Sequence, residues 1–116
     1  MKKACRLLKS ADFKAVLDQR HCLGKNESVS VFYAPNTLKH ARIGISVSTK
    51  VGNAVVRGRV RRQLRAQINL CEVLSHAIDV VIIAHSGYLN RSFEENTKIL
   101  NNMFTRFSNL NKGEKA

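Results

Sequence analysis

The spacing of apolar residues changes several times along the chain, and each change predicts an element. Phe13, Val16 and Leu17 follow i, i+3, i+4 spacing behind Ser10, a cap-type residue, with Asp12 in the first turn, which predicts a short helix. The turn-like RHCLGKNE leaves room for a brief strand around His21 to Leu23. SVSVFYA, Ser28 to Ala34, alternates and is rich in branched and aromatic residues, so it reads as a strand that Pro35-Asn36 ends. RIGISVS, Arg42 to Ser48, is the clearest strand. Ile43, Ile45 and Val47 face one way, while Gly44, Ser46 and Ser48 form a small polar face with room for something to lie against it. Val56, Val60, Leu64 and Ile68 then recur every fourth residue, which predicts an amphipathic helix. DVVIIAH, Asp79 to His85, is nearly continuous apolar sequence, as in a strand covered on both faces. SFEE offers a capping box with Ser92 as cap and Glu95 three positions on. Phe93, Ile99, Leu100, Met103, Phe104 and Phe107 follow as a helical apolar stripe, and the tail from about residue 109 is expected to fray. With no repeats or long linkers, 116 residues predict one domain spanning 1–116.

Charge narrows the choice of partner. Twenty Lys and Arg face eight Asp and Glu, a net +12 that repels itself unless an anionic partner offsets it. Nucleic acid is the first candidate, a membrane surface the second, and a merely soluble basic protein the third. The opening MKKACRLLKS lacks the apolar run of roughly seven residues that a signal core needs. The longest apolar run, VVIIA, is too short to span a bilayer. Cys5, Cys22 and Cys71 contain no C-x-x-C pair, which fits reduced thiols in a cytoplasm. Neither they nor His21, His40, His76 and His85 have zinc-ligand spacing, so no metal site is expected.

The charge concentrates in KVGNAVVRGRVRRQLR, Lys50 to Arg65. At about 100° per residue, Arg57, Arg61 and Arg65 run along one edge of the polar face, Arg62 lies further round and Arg59 near the far edge. Like charges at i, i+4 cost a few tenths of a kcal/mol per pair, and Gly58 costs about 1 kcal/mol against Ala. Two costs in one helix suggest an external partner that compensates the charge. The planar fork of a guanidinium suits phosphate, because it donates two hydrogen bonds at once. A solvated face is the competing reading, but no acidic residue falls between Lys50 and Leu70. Spacing alone does not choose between RNA and DNA. The acids Asp12, Asp18, Glu27, Glu72, Asp79, Glu94, Glu95 and Glu114 are dispersed, so no catalytic residue is assigned. Phe13 fits either core packing or base stacking, and Tyr88, next to Gly87, fits either as well.

The stretch RIGISVSTKVGNAVVRGRVRRQLR, Arg42 to Arg65, resembles the signature of the protein subunit of bacterial ribonuclease P: a strand, a GNAV-like turn and an arginine-rich segment. The similarity extends to RLLKSADFKAVL and DVVIIAHSG, over roughly residues 6 to 107. The resemblance implies an α/β fold, an α+β sandwich of order αβββαβα, whose four-stranded mixed sheet has a left-handed βαβ crossover carrying the arginine-rich helix. It implies that the protein is not itself the catalyst. An RNA subunit with magnesium cleaves precursor tRNA, and the protein binds that ribonuclease P RNA, one to one, and holds the 5′ leader in a cleft. By position, Arg57, Arg59, Arg61, Arg62 and Arg65 would contact the catalytic RNA, with Lys50 and Asn53 at the entrance to the helix. Phe13, Leu17, Phe32 or Tyr33, Ser46 and Ser48 would line the leader cleft. No cofactor bound by the protein alone, no membrane and a cytoplasmic location are implied. Gly58 stands where the family has Asn, and Leu17 where an aromatic is common. The alternative is a ribosomal or other structural RNA-binding protein, which should lack the turn and arginine-helix context.

Overall fold

The computed structural model describes residues 6, 10–19, 21–38, 40–69 and 77–115, with 108–115 described as backbone only. The elements run α1 (Ser10–Gln19), β1 (His21–Lys25), β2 (Val29–Pro35), β3 (Arg42–Val47), α2 (Ala54–Asn69), β4 (Ile78–Ala84) and α3 (Phe93–Lys115), the αβββαβα order expected. Short 3-10 turns at Thr49–Val51 and Ser86–Asn90 lead into α2 and α3.

The sheet order is β1-β2-β4-β3. β2 is antiparallel to β1 and β4, and β3 is parallel to its neighbour β4, so α2 is the crossover between two adjacent parallel strands. β4 therefore has a partner on each edge and a helix layer on each face, which accounts for its unbroken apolar sequence. Val80, Ile82 and Ala84 pack into the larger cluster with Val60, Leu64 and Ile68 of α2 and Leu100, Met103, Phe104 and Phe107 of α3. Val81 joins the smaller cluster on the other face, with Val16 of α1, Ala34, and the half-buried Phe13, Leu17, Phe32 and Ile83.

The same alternation corrects two expectations. Phe32 and Tyr33 are adjacent in β2, so the pleat sends them to opposite faces. Tyr33 packs in the larger cluster with its ring 5.1 Å from that of Phe107, and cannot share a cleft with Phe13 and Phe32. Nor is the small face of β3 open along its length. Gly44 is buried because the Phe13 ring lies over it, so close that a Cβ there would fall 2.5 Å from Phe13 Cζ. Only Ser46, further along, is exposed.

The capping box at α3 forms as expected. Ser92 N–H donates to Glu95 Oε1 at 3.0 Å and Glu95 N–H donates to Ser92 Oγ at 3.1 Å. Backbone and hydroxyl donation from Ser92 hold the Glu95 carboxyl below its usual range. Phe93, expected on the apolar stripe, is instead 37% exposed: one turn into the helix it is Asn96, buried and bonded to Tyr88 O, that closes the core.

α1 is tied to the sheet by charge as well as packing. Arg42 donates to both carboxylate oxygens of Asp79, at 2.8 and 2.6 Å, and reaches Asp12 of α1 at 3.7 Å. Asn36 Nδ2 donates to Asp79 Oδ1 at 2.9 Å. Burial alone would raise the Asp79 carboxyl, but the bonds from Arg42 and Asn36 and the charge of Arg42 outweigh it and leave the group below its usual range.

Candidate nucleic-acid interface

α2 begins after Asn53, whose Oδ1 accepts from Val56 N–H at 3.0 Å and whose carbonyl accepts from Arg57 N–H at 2.9 Å. Asn53, expected near RNA, thus has a structural task as the cap of the arginine helix. Ser48 is used in a similar way: its Oγ accepts from Lys50 N–H at 3.2 Å and caps the turn that delivers the chain into α2. Lys50 is exposed beside it.

Along α2, Val60, Leu64 and Ile68 are fully buried. At about 1.5–3 kcal/mol each, an upper bound, they contribute roughly 4–9 kcal/mol. Two like-charge pairs at i, i+4, two at i, i+3 and Gly58 together cost roughly 2–3 kcal/mol. The local costs that suggested an external partner are therefore offset inside the protein. What points to a partner is instead where the charges end up.

Arg57, Arg61 and Arg65 flank the buried seam and are half-buried, while Arg59 and Arg62 are exposed. Among the described residues the ion pairs involve Arg42 and Arg91, and none of the five α2 arginines pairs with a carboxylate. The Nε of Arg57 is buried with no partner among the described residues. Held on one rigid helix, these groups form a cationic face with its hydrogen-bond donors uncommitted.

The arginine face meets a groove. Ser10 and Phe13 of α1, Ile45, Ser46 and Val47 of β3, and Arg61 of α2 line an open depression of ≈ 410 Å³. β3 is the edge strand, with α1 against one face of the sheet and α2 against the other, so the groove straddles the sheet edge and Arg61 forms one wall. Phe13 has both roles that the sequence left open: it packs over Gly44 and presents the rest of its ring to the groove. Of the other cleft candidates, Leu17 and Phe32 sit on the same sheet face, in the apolar cluster behind Phe13. Tyr88, undecided from sequence, is buried at 2% exposure.

Two features went unread in the sequence. Gln67 is fully buried and Gln63 half-buried on α2, and both bond to Tyr88 OH. Helical geometry could have found Gln67, which lies only about 20° from Val60 around the axis. His85 and Ser30 also meet, with Nε2 and Oγ 2.7 Å apart. Ser30 is buried and no carboxylate bonds the imidazole among the described residues, so the pair lacks the arrangement of an activated nucleophile. Among the described residues no three His, Cys, Asp or Glu side chains are grouped to hold a metal, and no helix is long and apolar enough to cross a membrane.

The family model described as Ribonuclease P matches residues 1–108. The ribonuclease P protein component of Streptococcus thermophilus is 41% identical over 96 residues, 82% of this chain and 85% of the relative. That of Mesoplasma florum is 33% identical over 111 residues, covering 92% and 98%. A mutant form of the Staphylococcus aureus RNase P protein superposes with a TM-score of 0.80 at 29% identity, over 91% of this chain and 90% of that one. These matches leave no place for the ribosomal alternative. The chain belongs to the ribonuclease P protein family and shares its role as a subunit of the holoenzyme that processes the 5′ ends of tRNA.

Proposed function

We propose that α2 binds the ribonuclease P RNA through Arg57, Arg59, Arg61, Arg62 and Arg65, with Lys50 and Asn53 at its entrance, while the groove beside Phe13 and Ser46 receives the single-stranded 5′ leader of precursor tRNA. The observation that carries this reading is Arg61, which belongs both to the arginine face and to the groove wall. A strand lying in the groove would run alongside the RNA held on α2.

The chemistry of each part fits. Guanidinium forks on a rigid helix meet phosphate oxygens with little ordering cost and release counterions as they do. The exposed part of the Phe13 ring offers stacking worth about 1–3 kcal/mol per base, which tolerates any base and therefore a leader of variable sequence. The Ser46 hydroxyl adds a donor and an acceptor. The net +12 lowers the repulsion between two RNA molecules brought together, so the subunit's contribution is largest when magnesium is scarce. Magnesium would supply the metal chemistry in the RNA-containing holoenzyme. The protein works one to one with the RNA in the cytoplasm, where the exposed Cys22 thiol stays reduced.

Reconstitution tests the reading. The purified chain should leave precursor tRNA intact on its own. It should stimulate a bacterial ribonuclease P RNA at low magnesium, and more so for substrates with a leader than without. Equal stimulation of both substrates would remove the groove from the account, and no stimulation would remove the whole of it.

A further inference from the structure

We infer that Tyr88, acting through Gln63 and Gln67, sets the rotation of α2 about its own axis and thereby decides how many of its arginines reach phosphate together. This rests on the reading of α2 as the RNA-binding element.

Tyr88 lies in the turn between β4 and α3 with 2% of its surface exposed. Its hydroxyl donates to Gln63 Oε1 at 2.9 Å and accepts from Gln67 Nε2 at 3.2 Å. Gln67 Nε2 also reaches the carbonyl of Phe93, at 3.3 Å, and Asn96 Nδ2 donates to the carbonyl of Tyr88 at 3.0 Å. The tyrosine is thus held by α3 at its backbone and grips two side chains, one turn apart, on α2.

The position of that grip gives it leverage. Taking Val60 as zero, Gln67 and Gln63 lie at about −20° and −60° around the helix, and Arg57, Arg61 and Arg65 at about +60°, +100° and +140°. The amides are therefore on the flank away from the arginine row. Burial of Val60, Leu64 and Ile68 holds α2 against the sheet and limits its roll, but apolar contact has no preferred direction and leaves some play. Hydrogen bonds have narrow geometry and do not tolerate the roll. At a radius of about 6 Å, a 20° roll moves a side-chain tip by about 2 Å, enough to break a bidentate contact with phosphate. Tyr88 is in this sense a positioning residue: it touches no RNA.

The test removes one buried oxygen. Tyr88→Phe and the parent chain, both folded by circular dichroism at the working temperature, are titrated with a bacterial ribonuclease P RNA over a range of salt. The expected result is an affinity lower by about fivefold or more and a log–log salt slope reduced by roughly one phosphate contact, although the residue is uncharged and buried. Gln63→Met breaks the same grip from α2 and should reproduce the reduced slope; it decides the matter if Tyr88→Phe does not fold. Unchanged slope and affinity in a folded variant, with only the melting temperature lowered, would show a purely structural tyrosine and overturn the inference. Failure of the parent chain itself to bind the RNA overturns the proposed function and this inference with it. Binding by the parent with an unaltered slope in the variants overturns this inference alone.

Discussion

Replacing Gly44 by Ala probes the contact that shapes the groove. A Cβ built at Gly44 stands 2.5 Å from Phe13 Cζ and 2.9 Å from both Cε atoms, where ordinary contact begins at 3.4 Å. The ring must retreat by about 1 Å, and behind it α1 is anchored by Val16, at 1% exposure. Overpacking of this kind costs about 1–3 kcal/mol. Phe13→Ala alone should cost about 2–3 kcal/mol, below the range for a fully buried Phe, because part of the ring is exposed. With the ring gone, the three atoms nearest that Cβ are gone, and the loss of glycine's freedom in the unfolded chain should stabilise by about 0.4–1 kcal/mol. The substitution thus changes sign with background, and the coupling between the sites is about 1.5–4 kcal/mol. Urea unfolding of the four proteins, with equal m-values, measures it. Should Gly44→Ala cost the same in both backgrounds, the ring does not lie over Gly44 and does not form the groove wall.

Other substitutions test separate parts of the molecule. The Asp79 carboxyl lies below its usual range, so its contribution is complete above the unfolded-state pKa and is lost as pH falls through the lower folded value. Asp79→Asn should remove that part of the acid limb from a stability–pH curve and cost about 2–4 kcal/mol near neutral pH, because Arg42 loses its bidentate partner. Arg61→Ala and Arg65→Ala should each reduce the salt slope of RNA binding by about one; unchanged slopes would make these arginines a solvated face. Gly58→Ala should stabilise the protein by about 0.5–1 kcal/mol in thermal or urea unfolding, since its Cβ would meet only Arg62 Nη1 at 3.7 Å. Burial raises the Tyr88 hydroxyl above its usual 10.0, against the bond from Gln67, so an absorbance titration should show a late tyrosinate step that is missing in Tyr88→Phe. The neutral form is the one the fold favours, and its stabilising effect is lost as pH rises through that step.

Much of the fold was legible because local rules and tertiary packing agree. The period of four in α2, the continuous apolar run of β4 and the reciprocal Ser92–Glu95 cap each correspond to the element observed. Where the reading failed, the deciding information lay outside the segment. Phe32 and Tyr33 are one residue apart, and only the pairing of β2 with β4 says which of them faces α1. The small face of β3 looked vacant because nothing in RIGISVS records that Phe13, about thirty residues earlier, folds back over Gly44. Gln67 reads as a surface residue by type, and its burial depends on Tyr88, in the turn after β4, packing onto the same face of the sheet as α2.

The junction of the two surfaces follows from strand order. Phe13 and Arg61 sit on helices against opposite faces of the sheet, which an interior strand would keep apart. They meet because β3 is placed at the edge, beside β4 rather than beside β2, its predecessor in the chain. There β3 runs parallel to β4, and a parallel neighbour demands a crossover, which α2 supplies. The requirement that puts the arginine helix over one face therefore also leaves the Ile45–Val47 end of β3, beyond the bridge from Arg6 to Ile43, at the groove between α1 and α2. A groove with an aromatic on one wall and a guanidinium on the other is the geometric outcome.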